Sequence, residues 1–250
     1  MFKEHPFYIG YHAKAAKPQA LFIRGCIAVM LVISVIVTAL VVQSQRPFAV
    51  SSFEYGEKNL FRGVVSEFPY PTLLIKRPGR TEGVPYSRYL LSGQGKFGVA
   101  PLFAGRHGQT VMLGGTLIYR DEQTMIEVLP DTLLFTEGQT AIPADESLGE
   151  VTLRGEVVDS KCYLGVMKPD AFKAHKACAI RCLSGGIPAI FVVRSADGSA
   201  DHVLLAGPDG RALNKQLLDI VAIPTEVTGL LHRRGSDLIL HTDAVNFRPL

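Results

Sequence analysis

Residues 25–42 read GCIAVMLVISVIVTALVV, a run without a charge in which only Ser34 and Thr38 are mildly polar. A helix of about 20 apolar residues crosses the hydrocarbon core of a bilayer. Adding Leu21 to Ile23 supplies that length, with Arg24 able to snorkel to the interface. Lys3, Lys14, Lys17 and Arg24 precede the run, while Arg46 and then Pro47 follow it. This excess of cations on the N-terminal side orients the N-terminus to the cytoplasm. The leading segment is long and the run exceeds a usual signal-peptide core. The segment therefore reads as an uncleaved anchor, with Ala49-Val50-Ser51 only a weak cleavage candidate. Cys26 stands at the start of the run and not after it, so it reads as a small apolar helix residue and not as a lipidation site. The expectation is a single-pass protein of a bacterial inner membrane. It has a cytoplasmic tail over 1–20, a transmembrane helix over 21–43, a linker over 44–57 and a periplasmic remainder. The tail, with His5-Pro6-Phe7-Tyr8-Ile9-Gly10-Tyr11, is too apolar to be only solvated and is expected to lie on the lipid bilayer or on another membrane-protein subunit.

Beyond the anchor the chain favours short strands. Trp is absent, and 24 Gly and 15 Pro suit tight turns. The net charge of +3 is spread without a basic block, which argues against a nucleic-acid partner. Two stretches resemble one another. Phe61-Arg62-Gly63-Val64-Val65 matches Leu153-Arg154-Gly155-Glu156-Val157, and Tyr89-Leu90-Leu91-Ser92-Gly93 matches Val203-Leu204-Leu205-Ala206-Gly207. Val111 to Ile118 likewise matches Thr225 to Leu231. The first blocks lie 92 residues apart and the later ones 114 apart, so the second copy carries 22 more residues, all before its Val203 strand. Duplication followed by decoration of one copy is the reading. The fold class expected is mainly β: one N-terminal transmembrane helix, then two tandem small OB-like barrels over 58–145 and 146–250. A glycine inside a strand allows the bending such barrels need at their corners. Hairpins are expected at Arg120-Asp121 and at Arg234-Gly235-Ser236, a short helix over 215–220, and a Pro/Gly-rich loop over 69–88.

The interval that carries the extra residues contains 159–188, DSKCYLGVMKPDAFKAHKACAIRCLSGGIP, which holds three of the four Cys. Pro169 and Asp170 suit a first helical turn, and Gly185-Gly186 then Pro188 stop it, which predicts a helix over 170–183. On it His175, Cys178 and Cys182 share one face, within about 60° at 100° per residue. Cys162 precedes it in a loop able to fold back, and Phe172, Ala179 and Leu183 form the stripe expected to seat it. Three readings stand. Cys162, His175, Cys178 and Cys182 hold zinc or an iron–sulfur cluster. Alternatively, two of the Cys form a disulfide in an oxidising compartment. Or all four are packing residues. Against a single ion, His175 and Cys182 lie about 10 Å apart along the axis. His107, His202, His232 and His241 read as turn or strand residues, and Arg181 as a solvated one. No phosphate loop, dinucleotide fingerprint, Ser–His–Asp set or C-x-x-C-H sequence is present, which leaves no motif for a nucleotide or c-type haem and no complete catalytic constellation.

Cys162-Tyr163-x-Gly165 followed by His175-x-x-Cys178-Ala179-x-x-Cys182-x-x-Gly185-Gly186-x-Pro188 resembles the signature of a family of exported bacterial domains of OB-like character. The likeness spans roughly residues 150–245, and the first copy lacks every Cys and His of the signature. The resemblance implies fold and compartment more than activity. The functional expectation is a membrane-anchored extracytoplasmic accessory subunit of a redox or respiratory assembly with a Cys/His metal or iron–sulfur site. The rivals are a thiol–disulfide or assembly factor, and a binding module whose cysteines only staple a loop.

Overall fold

The computed structural model describes residues 16–45, 50–77, 86–195 and 199–250. The tail sequence around His5 to Tyr11 and the cations Lys3 and Lys14 lie outside the described residues. The chain divides into two compact units, Met1–Phe48 and Ala49–Leu250. In the first, helix α1 (Lys17–Ser44) is 28 residues long, with a mean hydropathy of 2.9 over its most apolar window. At 1.5 Å per residue it measures about 42 Å, longer than the hydrocarbon core. It begins four residues before the expected start because Pro18 is tolerated in a first turn, where its missing N–H has no partner to lose.

The second unit is mainly β and contains two sheets. The first holds β1 (Ser51–Phe53), β2 (Asn59–Ser66), β3 (Thr72–Lys76), β4 (Tyr86–Ser92), β5 (Thr110–Arg120) and β6 (Gln123–Thr136), with a short helix α2 (Ala100–Phe103) between β4 and β5. Its order is β1-β5-β2-β3-β4-β6, and a further β5–β6 pairing closes strands β2 to β6 into a five-stranded barrel. The second holds β7 (Glu146–Asp159), β8 (Ala189–Arg194), β9 (Ala200–Ala206), β10 (Thr225–Arg234), β11 (Asp237–His241) and β12 (Phe247–Pro249). Its order is β11-β9-β8-β7-β10-β12, with β10–β11 closing the same circuit.

Registers agree between the sheets. Gly63 lies opposite Val111, and Gly155 opposite Thr225. Leu90 pairs in parallel with Met125, and Leu204 with Ile239. Both expected hairpins form, and Asn214–Ile220 is a 3₁₀ turn where a short helix was expected. The Pro/Gly-rich stretch read as loop over 69–88 instead holds β3 and the start of β4. Thr72, Leu73 and Leu74 are buried, and β3 pairs with both β2 and β4, so tertiary pairing overrides the local composition.

The sheets are built on separate apolar cores. Val65, Leu73, Leu91, Phe103, Leu113 and Val128 belong to the first, while Val157, Phe191, Leu205, Leu217 and Leu240 belong to a larger second one. Polar ties join them. Buried Arg88 pairs with Asp237 at 2.6 Å. The Tyr70 hydroxyl donates to Asn214 Oδ1 at 2.7 Å, and the amide of Asn214 donates to the carbonyls of Leu183 and Ile187. Leu90, Ile118 and Met125 of the first sheet also pack into the second core.

Candidate metal centre

The link from β2 to β3 is five residues, 67–71. The equivalent link from β7 to β8 runs over 160–188 and contains a tight turn, Cys162–Val166, and helix α3 (Phe172–Ser184). The expected helix forms, but Asp170 stands outside it. Its carboxylate is taken by Arg120 Nη1 at 2.8 Å and Lys168 Nζ at 2.5 Å, so it is not free to face the helix terminus. The first amide of the helix, that of Phe172, donates instead to Glu156 Oε2 at 2.9 Å. Ala179 and Leu183 are buried as the apolar stripe requires. Phe172 is not: it is 59% exposed with φ of +64°. Its ring instead carries the Arg194 guanidinium at 4.4 Å.

The fold brings the three cysteines together. Cys162 Sγ lies 3.8 Å from Cys178 Sγ and 4.0 Å from Cys182 Sγ, and all three sulfurs lie within 4.8 Å of one another. Cys162 and Cys182 are buried, and Cys178 is half-buried. Ile187 packs against them. His175 is buried too, but its partners differ. Its Nε2 is 2.8 Å from Asp159 Oδ2, and it falls into a second group with Asp159 and Cys162, whose ligand atoms are likewise within 4.8 Å. Cys162 is thus common to two sets of donors. Asp159, at the end of β7 and wholly buried, also accepts the backbone N–H of Cys162 through Oδ1 at 2.9 Å. One carboxylate therefore orients both the cysteine and the histidine, the usual arrangement behind a metal-ligating imidazole.

Residues outside the expected four complete the site. Lys96, from the link after β4 in the first sheet, donates to Cys178 Sγ at 2.7 Å and lies 3.8 Å from Cys182 Sγ. Hydrogen bonding to Cys178 holds the Lys96 ammonium above the ordinary lysine range, with the other two sulfurs adding to the effect. Met167 Sδ lies 3.5 Å from Cys178 Sγ on the exposed side. Cys182 is held below the usual thiol range, chiefly by the hydrogen bond from Cys162 and further by Lys96. Cys162 is driven the other way by that same bond, by burial and by the Asp159 charge.

The segment carrying Lys96 is pinned on two sides. Lys161 is fully buried beside Cys162; its Nζ donates to the carbonyls of Gly93 and Gly95 at 2.7 and 2.8 Å and pairs with Glu127. The N–H of Gly98 donates to the Gly185 carbonyl at 2.8 Å. A Cβ on Gly185 would stand 1.9 Å from the Lys96 carbonyl oxygen, so this approach requires glycine. Tyr163 is buried, with the Arg120 guanidinium of β5 4.0 Å from its ring centroid and donating to its carbonyl at 3.2 Å. Much of the signature around the cysteines therefore seats the second sheet on the first. Asp159 and Lys161 flank Cys162 and were visible in the sequence as charges beside a cysteine. Nothing in the sequence near Lys96 links it to residues more than sixty positions away.

Cys162, Cys178 and Cys182 could hold a metal ion. Two thiolates bound to one zinc ion at about 2.3 Å in tetrahedral geometry stand about 3.8 Å apart. The measured separations from Cys162 match that edge. No family model matches the chain, and no curated protein does. Among solved structures, a deletion mutant of the single-stranded DNA binding protein from Thermus aquaticus aligns at 16% identity, covering 81% of this chain and 89% of that one. Its TM-score is 0.21, too low to carry an argument about fold or function.

Proposed function

We propose that this chain is a membrane-anchored extracytoplasmic accessory subunit of a redox assembly, carrying one thiolate metal centre at Cys162, Cys178 and Cys182. The observation that carries the reading is the sulfur trio, gathered within 4.8 Å with both separations from Cys162 close to those of ligands around a single ion. The donors suit zinc or an iron–sulfur cluster. His175 and Asp159 stand behind Cys162 as its orienting pair, and Lys96 offsets the negative charge that three thiolates leave around a divalent ion. The closed barrel and the strand order of each sheet support two tandem OB-type units, the second decorated between β7 and β8. The exported-domain resemblance agrees with that arrangement. Helix α1 supports anchoring, with the N-terminus in the cytoplasm, the sheets in the periplasm of a bacterial inner membrane, and the lipid bilayer and other membrane subunits as partners. The site belongs to metal or electron handling and not to catalysis by this chain alone, and no nucleic acid is involved.

The test is metal content of the full chain purified without oxygen or chelator, with free thiols counted in parallel. About one metal ion per chain, lost on Cys178→Ser, is expected. An absence of bound metal with all thiols reactive would overturn the reading.

A second reading has its own observation: Cys162 lies near both other sulfurs, and an ammonium touches the half-exposed Cys178. This suits thiol–disulfide exchange. Cys178 would attack a client disulfide and release one client thiolate; Cys162 would then displace the second, leaving a Cys162–Cys178 disulfide and a client reduced by two electrons. A thiol count that falls by two on exposure to an oxidised dithiol, with no metal bound, selects it.

A further inference from the structure

Lys96 and Cys178 belong to different sheets, in the link from β4 to β5 and in the link from β7 to β8, yet Lys96 Nζ lies 2.7 Å from Cys178 Sγ. A charge-assisted N–H···O bond is about 2.7–2.9 Å long, and sulfur is larger than oxygen, so even an ammonium–thiolate contact should be longer. Two single bonds meeting at one atom place the outer atoms about 2.5 Å apart, as N and C are across Cα, and bonds to sulfur are longer. The separation is therefore that of a nitrogen and a sulfur on either side of one bridging atom. The backbone on both sides of Lys96 is tied down. Lys161 Nζ binds the carbonyls of Gly93 and Gly95 before it, and the N–H of Gly98 after it donates to the Gly185 carbonyl. The amine is thus held at one sulfur, which makes reaction between the two effectively unimolecular. Both residues are half-buried, so dissolved oxygen reaches them. The competing thiol, that of Cys162, is buried and its Sγ is 3.8 Å from Cys178 Sγ.

We propose that Lys96 and Cys178 close a covalent N–O–S bridge, a reversible, redox-sensitive cross-link between the two sheets. The oxidant is dioxygen. One of its oxygen atoms enters the bridge between Nζ and Sγ. The other leaves as water, with two of the three hydrogens that the thiol and the amine hold between them. Sulfur and nitrogen each give up two electrons, the four that dioxygen takes. Two equivalents of a dithiol reverse the step and return the amine, the thiol and one water. Closing the bridge takes Cys178 out of the sulfur trio. The inference goes beyond the metal reading and does not rest on it, because the bridge needs only the two bare side chains.

In the experiment the full chain is stripped with a chelator and reduced without oxygen; the reductant is then removed and part of the sample is exposed to air. Intact mass and peptide mapping follow. The air-exposed chain is expected to gain one oxygen and lose two hydrogens, with a linked peptide pair joining Lys96 to Cys178, and excess dithiol should restore the starting mass. Lys96→Arg keeps the positive charge but cannot close the bridge, and Cys178→Ser lacks the sulfur; each should lower the linked pair at least tenfold. Loss of two hydrogens alone, from a Cys162–Cys178 disulfide or a direct S–N bond, would overturn the proposal. So would oxygen added to Cys178 with Lys96 left free, or a mass that air leaves unchanged. Because any metal is removed beforehand, none of these outcomes bears on the metal reading, which is judged by metal content alone.

Discussion

The two sheets run the same strand circuit in the same register, yet they use their links in opposite ways. In the first, β2 turns into β3 within residues 67–71, and the link itself carries no cysteine or histidine. In the second, the link between the equivalent strands carries three cysteines, a buried histidine and a buried lysine, and it leaves β7 from a buried aspartate. A barrel closed by backbone pairing does not depend on that link for its integrity, so one link can stay minimal while the other takes on polar chemistry. The polar cluster is not supported by the second sheet alone. Lys96 and Glu127 reach it from the first, and Lys161 binds back to Gly93 and Gly95. The first sheet thus forms the wall against which the polar link of the second is built.

The sharpest way to break this contrast is Lys161→Ala. It leaves Glu127 buried without its partner and two carbonyls without a donor, and removing one member of a buried pair costs about 3–5 kcal/mol. Thermal unfolding of the chain should show one transition, lowered by more than ten degrees. A separate, unshifted transition of the first sheet would mean that the copies are independent. Next in size is metal removal. A strong chelator is expected to destabilise the chain by about 3–4 kcal/mol at ion concentrations 100 to 1,000 times the dissociation constant. Cys182→Ala should show no such response, and a chelator response that survives in that variant would break the link between stability and the trio.

Gly185→Ala is expected to cost about 1–3 kcal/mol, because a Cβ there collides with the Lys96 carbonyl. If Lys96 depends on this contact, the variant should also weaken cobalt binding, read from its thiolate charge-transfer absorbance. Unchanged absorbance would show that Lys96 finds the sulfurs without it. The smallest effect concerns pH. His202 of β9 packs edge-on to Tyr163, and burial holds its pKa below the ordinary 6.5. Its neutral form is favoured by folding, so the unfolded chain binds more protons on acidification. Stability should therefore decline as the pH falls below about 6.5, and His202→Gln should flatten that decline in denaturant titrations. An unaltered slope would remove His202 from the account.

Much of the fold was legible from residue pattern. The apolar run could only be a long helix. The duplicated blocks announced matching strands, and the 114-residue offset reappears in the pairing of Leu90 with Met125 and Leu204 with Ile239. Strand β3 was hidden because Pro and Gly on either side of it mimic a loop, while its burial comes from pairing with β2 and β4, which local composition does not record. In the site, the helix spacing of Cys178 and Cys182 and the nearness of Cys162 could be anticipated. The position of His175 could not. Periodicity puts it on the same face as the sulfurs, but a buried carboxylate holds it in a separate group.

By itself the sequence determined the long apolar helix, the matched strand blocks, and the segment in which the cysteines gather. These follow from local periodicity and composition, which a linear pattern records directly. Only the tertiary structure decided which side chains meet. It delivered Lys96 to Cys178 across 82 positions of chain and turned Asp159 toward both Cys162 and His175. The reason is that such contacts depend on how the two sheets dock. Docking is set by buried ion pairs and close backbone approaches summed over the whole surface, and no short stretch of sequence encodes that sum.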